Sequence, residues 1–166
     1  DQSPFDAAIQ RAVMARKDTD VTHLVDETLI VVASPSLIPL GQTVTDDDLV
    51  SYPLIQLATR PALWNHWFAG ADNMILNRIQ GPRVQHFDMV IAAAQAGLGV
   101  GLIPEVFAQQ AIASGNLHKI QPQSLRGPTP YVLIRPSIRP QNTTMDAFAH
   151  WLQITTCEHA SEISVG

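Results

Sequence analysis

Residues 88–104, DMVIAAAQAGLGVGLIP, constrain the fold of this chain more than any other stretch. Asp88–Ala96 predicts a helix because it is rich in good helix formers, and Gly97 is placed to end it in a left-handed conformation. Gly99–Ile103 then predicts a short buried strand. A dinucleotide-binding loop needs the opposite order, in which a strand precedes the glycines and a helix follows them. We therefore interpret the alternate glycines as places where a strand passes close to a packed helix.

The rest of the chain alternates between strand and helix patterns. Strands are predicted at Phe5–Ile9, Glu27–Ala33, Pro53–Leu57, Arg83–Phe87, Leu117–Ile120 and Pro130–Arg135. The run Glu27–Ala33 is continuously apolar and rich in β-branched residues, which predicts a strand buried on both faces. Helices are predicted after Ser34–Pro35, after Thr45, at Pro61–Phe68, from Pro104 to about Ala113, and at Asn142–Leu152. Residues 10–23 are interpreted as a loop or an irregular excursion, and residues 153–166 as a polar, frayed end. This alternation predicts the α/β class with largely parallel strands.

The charge balance bounds the partners that this chain can bind. Its 166 residues suit one domain or two small lobes, and 10 basic against 15 acidic residues give a net charge of -5. The basic residues are scattered, so direct binding of DNA or RNA by this chain is not expected.

Cys157 is the single cysteine of the chain, which favours the cytosol because a disulfide framework needs several cysteines. The opening residues DQSPFDAAIQ do not resemble a secretion signal, and no apolar run is long enough to cross a membrane.

No motif in the sequence predicts catalysis. The nucleophile motifs GxSxG and SxxK are absent, as is HExxH, and the six histidines lack the spacing of a helical metal pair. Asp46–Asp48 is interpreted as a helix start, since consecutive helical residues point in different directions and acids favour the positive helix end. Trp64, Trp67 and Phe68 have the spacing of a helical core face. We therefore expect no enzyme activity, no cofactor and no metal site.

Two places in the sequence favour the binding of a small ligand. Phe87–Asp88 ends a predicted strand and begins a helix, whose free N–H groups can bind a carboxylate or another polar group. The alternative for Asp88 is that it caps its own helix. Ligands of open α/β sheets bind beyond the carboxyl ends of strands, which also indicates Gln10 and Arg11 after the first strand. The alternative for Arg11 is a solvated loop residue.

The order of several motifs resembles that of one protein family. From residue 4 to about residue 153 the chain is similar to the effector-binding domain of LysR-type bacterial transcription regulators. Within that family it resembles the branch of the glycine-cleavage activator and the β-lactamase regulator. The motifs that carry the resemblance, in order, are FDAAI, DETLIVVASPSL, YPLI, WNHWF, AAAQAGLGVGLIPE, ASGNLHKI, PYVLIRP and FAHWL.

The resemblance implies the fold of type-2 periplasmic binding proteins, with two α/β lobes, mostly parallel sheets and two crossing strands. Residues 1–26 and 132–153 would form a partial subdomain I, residues 27–131 subdomain II, and residues 154–166 a polar tail. The family places a strand, helix, strand and helix before the FDAAI strand, so the first lobe is expected to be truncated. That strand and the Phe148–Trp151 helix face would then present apolar surface. This surface is expected to be covered by another chain, to be covered by a rearrangement, or to stay uncovered.

The resemblance also implies a mechanism and a site. A small molecule in the interlobe cleft would shift the lobes and so change how a tetramer binds promoter DNA in the cytoplasm. Ile9–Met14 lacks the glycines of the family pattern. In relatives a serine lies just inside the helix after the FD pair, whereas here Met89 and Val90 follow Asp88, so a muropeptide-like effector is not supported. Arg11 would be the partner of a carboxylate group on the effector. Tyr131 would line the cleft at the return crossing, and the alternative for Tyr131 is packing at the hinge. The cleft-lining candidates carried over by position are Gln10, Arg11, Phe87, Asp88, Met89 and Tyr131.

The implied partners are a small-molecule effector and further copies of the chain, with no membrane. Effector domains would pair through the alanine-rich helix Asp88–Ala96 and form tetramers in the full-length protein. DNA would be bound only by a winged helix-turn-helix expected before residue 1. One alternative is a type-2 periplasmic solute-binding protein for a small anionic or polar solute, which would carry a secretion signal. Another is an enzyme of the same fold, such as porphobilinogen deaminase; the position of Cys157 in the polar tail argues against it.

Overall fold

The chain divides into two compact units in the computed structural model, which describes residues 6–11, 18–69, 76, 78–137 and 143–163, the last seven as backbone alone. Unit 1 comprises Asp1–Glu27 and Gly127–Gly166, and unit 2 comprises Thr28–Arg126. The chain therefore passes between the units twice, at Glu27–Thr28 and at Arg126–Gly127. Residues 127–131 group with unit 1, whereas the sequence prediction assigned them to the second lobe.

Short strands and helices alternate along the described residues. In chain order they are β1 (Ala8–Arg11), β2 (Thr19–Val25), β3 (Thr28–Ala33), α1 (Asp46–Leu49), β4 (Gln56–Leu57), α2 (Leu63–Trp67), β5 (Arg83–Val84), α3 (Phe87–Gln95), β6 (Gly101–Pro104), α4 (Glu105–Ala113), β7 (His118–Lys119), β8 (Leu125–Arg126), β9 (Tyr131–Pro136) and α5 (Thr143–Ile163).

Strand β3 is the centre of unit 2 and is buried on both faces. Strands β6 and β7 flank it, and β8 pairs with its first two residues. Because side chains alternate along a strand, Leu29 and Val31 pack into one core cluster with the aromatic side chains of α2. Ile30 and Val32 point the other way, into a second cluster with residues of α3 and α4. The prediction of a strand buried on both faces is confirmed.

The α/β class is confirmed, but the strand directions differ from the predicted parallel sheets. Among the described strands only β4 and β5 pair in parallel, and an isolated parallel bridge joins Leu54 to Val100. The pairs that β3 and β9 form with their neighbours are antiparallel. A continuous apolar run indicates burial on two faces, which a central antiparallel strand meets as well as a parallel one. The route of the connecting chain sets the direction, and residue composition does not record that route.

The packing of α3 on the strand below it accounts for the alternate glycines. Gly97 has a φ of 73°, as expected for a left-handed helix end. A Cβ on Gly101 would lie 3.1 Å from Cγ1 of Val90 on α3. The predicted close approach of a strand to a helix is confirmed there. A Cβ on Gly99 would instead overlap the carbonyl oxygen of Pro53, which belongs to a neighbouring extended segment.

Unit 1 contains a three-stranded antiparallel sheet in the order β1–β9–β2, and α5 packs against β2. Leu24, Leu133 and Ala149 form its small buried cluster. Ile9 on β1 is nevertheless 55% exposed. Phe148 and Trp151 on α5 stack with their ring centroids 5.9 Å apart, and both are exposed. The predicted apolar surface on the first strand and the terminal helix is confirmed.

Several predicted element boundaries are wrong. The first strand lies at Ala8–Arg11 instead of Phe5–Ile9, whose first residue lies outside the described residues. Part of the predicted loop 10–23 forms β2, since its alternating β-branched residues pair with β9. Ser34–Pro35 begins a turn and not a helix. Helix α5 continues to Ile163 through the predicted polar tail, because residues 153–163 contain no glycine or proline to end it.

Candidate functional site

Arg11 and Tyr131, two of the predicted site residues, lie side by side in unit 1. Arg11 on β1 is the antiparallel partner of Tyr131 on β9, and Gln10 is the partner of Val132. Directly opposed residues have Cβ atoms roughly 4.5–5.5 Å apart on the same face of a sheet. The prediction that Gln10 and Arg11 follow the first strand is wrong, because that strand begins later and ends at Arg11. The sheet therefore holds the backbone of both residues.

A buried carboxylate adjoins this pair. The Tyr131 hydroxyl donates a hydrogen bond to Oε1 of Glu27 at 3.3 Å, and Glu27 is only 2% exposed. Glu27 lies in the two-residue connection between β2 and β3. Glu27 was predicted to be the first residue of a strand, with no part in a site. The sequence feature that could have marked Glu27 is an acidic residue at the start of a continuous apolar run.

The remaining predicted residues lie in unit 2 at the start of α3. Phe87 is the first helical residue, so its prediction as a strand end is wrong: β5 ends at Val84, before the chain turns. His86 occupies the N-cap and forms no side-chain cap hydrogen bond. Asp88 is not the N-cap, but its Oδ1 accepts the N–H of Met89 at 2.9 Å. The Asp88 carboxylate thus satisfies an amide of its own helix at the positive helix end.

Phe87 lies close to two side chains, Arg60 and Phe107, that were not among the residues predicted for the site. The guanidinium carbon of Arg60 lies 5.7 Å from the centroid of the Phe87 ring, within cation–π range. The ring of Phe107 on α4 lies 5.8 Å from the same centroid. Arg60 is buried and follows the end of β4, and the adjacent Thr59 donates to the carbonyl of Gln85 at 3.2 Å. The signal for Arg60 was a basic residue just beyond the carboxyl end of a predicted strand.

The acids at positions 46–48 begin a helix, as predicted. Thr45 and Asp48 form a capping box, in which the Thr45 hydroxyl donates to Oδ2 of Asp48 at 2.6 Å and accepts the N–H of Asp48 at 3.3 Å. The hydroxyl and the backbone N–H of Thr45 hold the pKa of Asp48 below its usual value of 3.8. Oδ1 of Asp46 accepts hydrogen bonds from Trp67 and Gln121.

The aromatic residues of PALWNHWF are core residues, as predicted. Trp64, Trp67 and Phe68 are buried in unit 2, and Nε1 of Trp64 donates to the carbonyl of Ile55 at 2.9 Å. Across the part of the chain that the structure describes, no three His, Cys, Asp or Glu side chains group as metal ligands would. Within the same residues, no helix has both the length and the hydropathy needed to span a membrane.

Comparison with known proteins matches this chain to one family model and to several curated proteins. Residues 2–155 match the family model described as LysR substrate binding domain. The chain is 28% identical over 151 residues to the glycine cleavage system transcriptional activator homolog of Haemophilus influenzae, which covers 89% of this chain and 49% of that protein. The chain therefore spans about half the length of the curated relatives it matches.

Several solved structures have a similar fold. The effector domain of the transcriptional regulator AmpR of Pseudomonas aeruginosa has a TM-score of 0.78 and 22% identity, over 97% of this chain and 76% of that chain. The full-length LTTR LysG from Corynebacterium glutamicum, with bound effector Arg, has a TM-score of 0.68 and 19% identity, over 92% of this chain and 51% of that chain. At these identities the likeness shows the fold alone. It confirms the α/β fold of type-2 periplasmic binding proteins.

Proposed function

This chain belongs to the family of LysR substrate-binding domains, and we propose that it is the effector-sensing domain of a bacterial LysR-type transcription regulator. The family match over residues 2–155 is the observation that carries this proposal. The proposed activity is the binding of a small molecule between two lobes, without catalysis. A ligand shifts an equilibrium only by its differential affinity for two states, so the effector would favour one lobe arrangement and thereby alter DNA binding by the whole regulator.

The proposed effector carries a carboxylate, and the paired position of Arg11 supports this choice. A guanidinium donates two parallel hydrogen bonds to a carboxylate. The single proton of the neighbouring Tyr131 hydroxyl is donated to Glu27, so its oxygen can accept a hydrogen bond from an N–H or O–H group of the effector. LysG, which has the same fold, was solved with the effector Arg, an amino acid that has a carboxylate. The proposed contacts are Gln10, Arg11 and Tyr131 from unit 1, and Phe87, Asp88 and Met89 from unit 2.

The proposed partners include a second copy of this chain, which would pair through α3. Met89 and Ala92 on that helix and Ala96 at its C-cap are exposed at helical spacing, and the two alanines would permit close approach of another helix. DNA would be contacted by a separate N-terminal domain, which agrees with the net charge of -5 and the scattered basic residues of this chain. The proposed compartment is the cytoplasm.

The coding sequence upstream of Asp1 tests the proposed function directly. We expect it to encode a winged helix-turn-helix followed by a long helix in frame with this chain. The restored protein should then bind its own promoter region, and a variant without the helix-turn-helix should not. A secretion signal in place of that domain would overturn the proposal and assign the chain to a periplasmic solute-binding protein.

A further inference from the structure

The turns that follow β4 and β5 lie side by side in unit 2. The two strands pair in parallel, so both end at the same edge of the sheet. The N–H of Ala58 donates to the carbonyl of Val84 at 2.7 Å, where β5 ends. The Thr59 hydroxyl donates to the carbonyl of Gln85 at 3.2 Å, one residue further along. These bonds fix the position of the first turn relative to the second.

Arg60 lies at the end of the first turn, and Phe87 begins α3 shortly after the second. The backbone of Arg60 is held on both sides, since its N–H donates to the carbonyl of Leu57 at 2.9 Å and its carbonyl accepts the N–H of Leu63 at 3.1 Å. Its guanidinium carbon lies 5.7 Å from the centroid of the Phe87 ring. The turn therefore places a cation over an aromatic ring.

The burial of Arg60 indicates that its charge has a role. Arg60 is only 9% exposed. A guanidinium stays charged at neutral pH, and the removal of that charge from water is costly. A methionine side chain would fill a similar space without this cost. Packing alone thus does not account for an arginine at this position, whereas a cation–π contact becomes stronger when it is shielded from water.

The Phe87 ring has a second aromatic neighbour on α4. The centroid of the Phe107 ring lies 5.8 Å from that of Phe87, with 45° between the ring planes. Aromatic pairs at this separation are stabilised beyond the area that they bury. The orientation of the Phe87 ring is therefore defined by a buried cation and by an adjacent ring, both in unit 2.

We propose that Arg60 is a positioning residue of the effector site, whose charge fixes the Phe87 ring and with it the first turn of α3. Arg60 acts on the effector only through that ring. The proposal rests on the proposed function, because Phe87 is one of the effector contacts assigned there. A ring that is already fixed in the free protein does not have to be ordered when the effector binds, which favours binding.

Fluorinated phenylalanines at position 87 test the role of the charge and change the shape of the ring little. Each fluorine withdraws electrons from the ring face and weakens its attraction for a cation. The 4-fluoro, 3,5-difluoro and 3,4,5-trifluoro residues are incorporated in the full chain, and urea denaturation gives the folding equilibrium constant. We expect this constant to fall with each fluorine, by about tenfold over the series.

Arg60→Met is the matched background for this series. It removes every contact of the guanidinium, so fluorination at position 87 should then have no graded effect. Arg60→Lys keeps a cation and should keep part of the gradient. A folding constant that stays level along the series in the protein with Arg60 would overturn the proposal, even if Arg60→Met does not fold. Equal gradients with Arg60 and with Met at position 60 would overturn it as well.

The second readout is hydrogen exchange of the Val90 amide by NMR, which reports on the first turn of α3. This amide donates to the carbonyl of His86 at 3.2 Å. We expect about tenfold faster exchange in Arg60→Met and partial recovery in Arg60→Lys. Arg83→Met, in an exposed arginine of the same unit, should leave the exchange unchanged.

Unchanged Val90 exchange in Arg60→Met would refute the positioning of the first turn. Faster exchange without any recovery in Arg60→Lys would assign Arg60 to packing alone and would also refute the proposal. Neither readout uses effector or DNA, so this failure is distinguishable from failure of the proposed function.

Discussion

Arg11 of β1 and Tyr131 of β9 are directly opposed partners in the antiparallel sheet of unit 1. Their positions in the sequence are 120 residues apart (131 − 11), so only the sheet brings them together. The register places both side chains on one face of the sheet at the start of β9, where the Tyr131 hydroxyl donates a hydrogen bond to the buried Glu27. This arrangement is the structural basis for the proposed carboxylate position.

Arg11→Gln should weaken the binding of carboxylate ligands. We expect a loss of affinity of at least about tenfold, because a charge-assisted bidentate contact is replaced by a neutral one. The measurement is the thermal shift of the protein with a panel of amino acids, each compared with its decarboxylated amine. Arg83→Gln, in an exposed arginine of unit 2 that donates to Gln56, is the control and should behave as the unmodified protein. Equal shifts by acids and amines would argue against a carboxylate effector.

Gly127→Ala should destabilise the protein through its contact with Glu27. The new Cβ would overlap the carboxylate, so we expect a loss of about 1–3 kcal/mol in the free energy of unfolding by urea. Adding Glu27→Ala should recover part of this loss, since it removes the overlapping group. Gly115→Ala, where no atom lies within 4 Å, reports backbone strain alone at a φ of 73°. Strict additivity of the Gly127 and Glu27 effects would contradict this account.

The Thr45–Asp48 capping box should be visible in the titration of Asp48. Its pKa is lowered in the folded state, so its contribution to stability is present above pH 3.8 and is lost as the pH falls through the lower folded value. An NMR titration should give a midpoint for Asp48 below 3.8, and Thr45→Val should raise that midpoint. A midpoint that does not respond to Thr45→Val would show that another group lowers the pKa.

Two threonine-to-valine substitutions should change stability in opposite directions. The hydroxyl of Thr129 is buried and has no hydrogen-bond partner among the described residues, so Thr129→Val should stabilise the protein by about 1 kcal/mol. The hydroxyl of Thr59 donates to Gln85, so Thr59→Val should destabilise it by a similar amount of about 1 kcal/mol. Urea denaturation measures both. If both substitutions destabilise the protein, the Thr129 hydroxyl has a role that its surroundings do not explain.

Ala92→Glu should reduce self-association if α3 is a pairing helix. A charge on the exposed, uncharged part of that helix would have to be buried between two copies, which is costly. Sedimentation velocity over a concentration series should show a shift toward monomer. Gln109→Glu, on the exposed part of α4, adds the same charge elsewhere and should leave the distribution unchanged. Identical sedimentation of both variants would remove α3 from the proposed interface.

The sequence predicted the elements of unit 2 better than those of unit 1. The strand at β3, the cap at Thr45 and the helix end at Gly97 follow from residues that are neighbours in the chain. In unit 1 the strand β2 carries a mixed polar sequence, and its pairing with β9 depends on residues over 100 positions away. Local patterns cannot report such pairing, and the predicted loop at residues 10–23 was wrong for that reason.

The residues of the candidate site also fall into two groups, those that neighbouring residues predict and those that only the tertiary structure brings together. Phe87, Asp88 and Met89 are consecutive residues, so the predicted helix start was enough to place them together in the site. Arg60 was missed because its relation to Phe87 arises only when the turn after β4 meets the start of α3. Glu27 was missed because nothing in the sequence shows that Gly127 and Tyr131 surround it.

By itself the sequence determined most of the helices and strands of unit 2, the strand that is buried on both faces, the helix start at Thr45 and the helix end at Gly97. It could do so because periodicity and capping act over a few neighbouring residues. The tertiary structure alone decided that β3 and β9 run antiparallel to their neighbours, that Arg11 faces Tyr131, and that a carboxylate is buried against Gly127. These relations join residues about 100 positions apart, as for Glu27 and Tyr131 at a separation of 104. Packing and hydrogen bonding across such separations depend on the path of the whole chain, which no local pattern of residues contains.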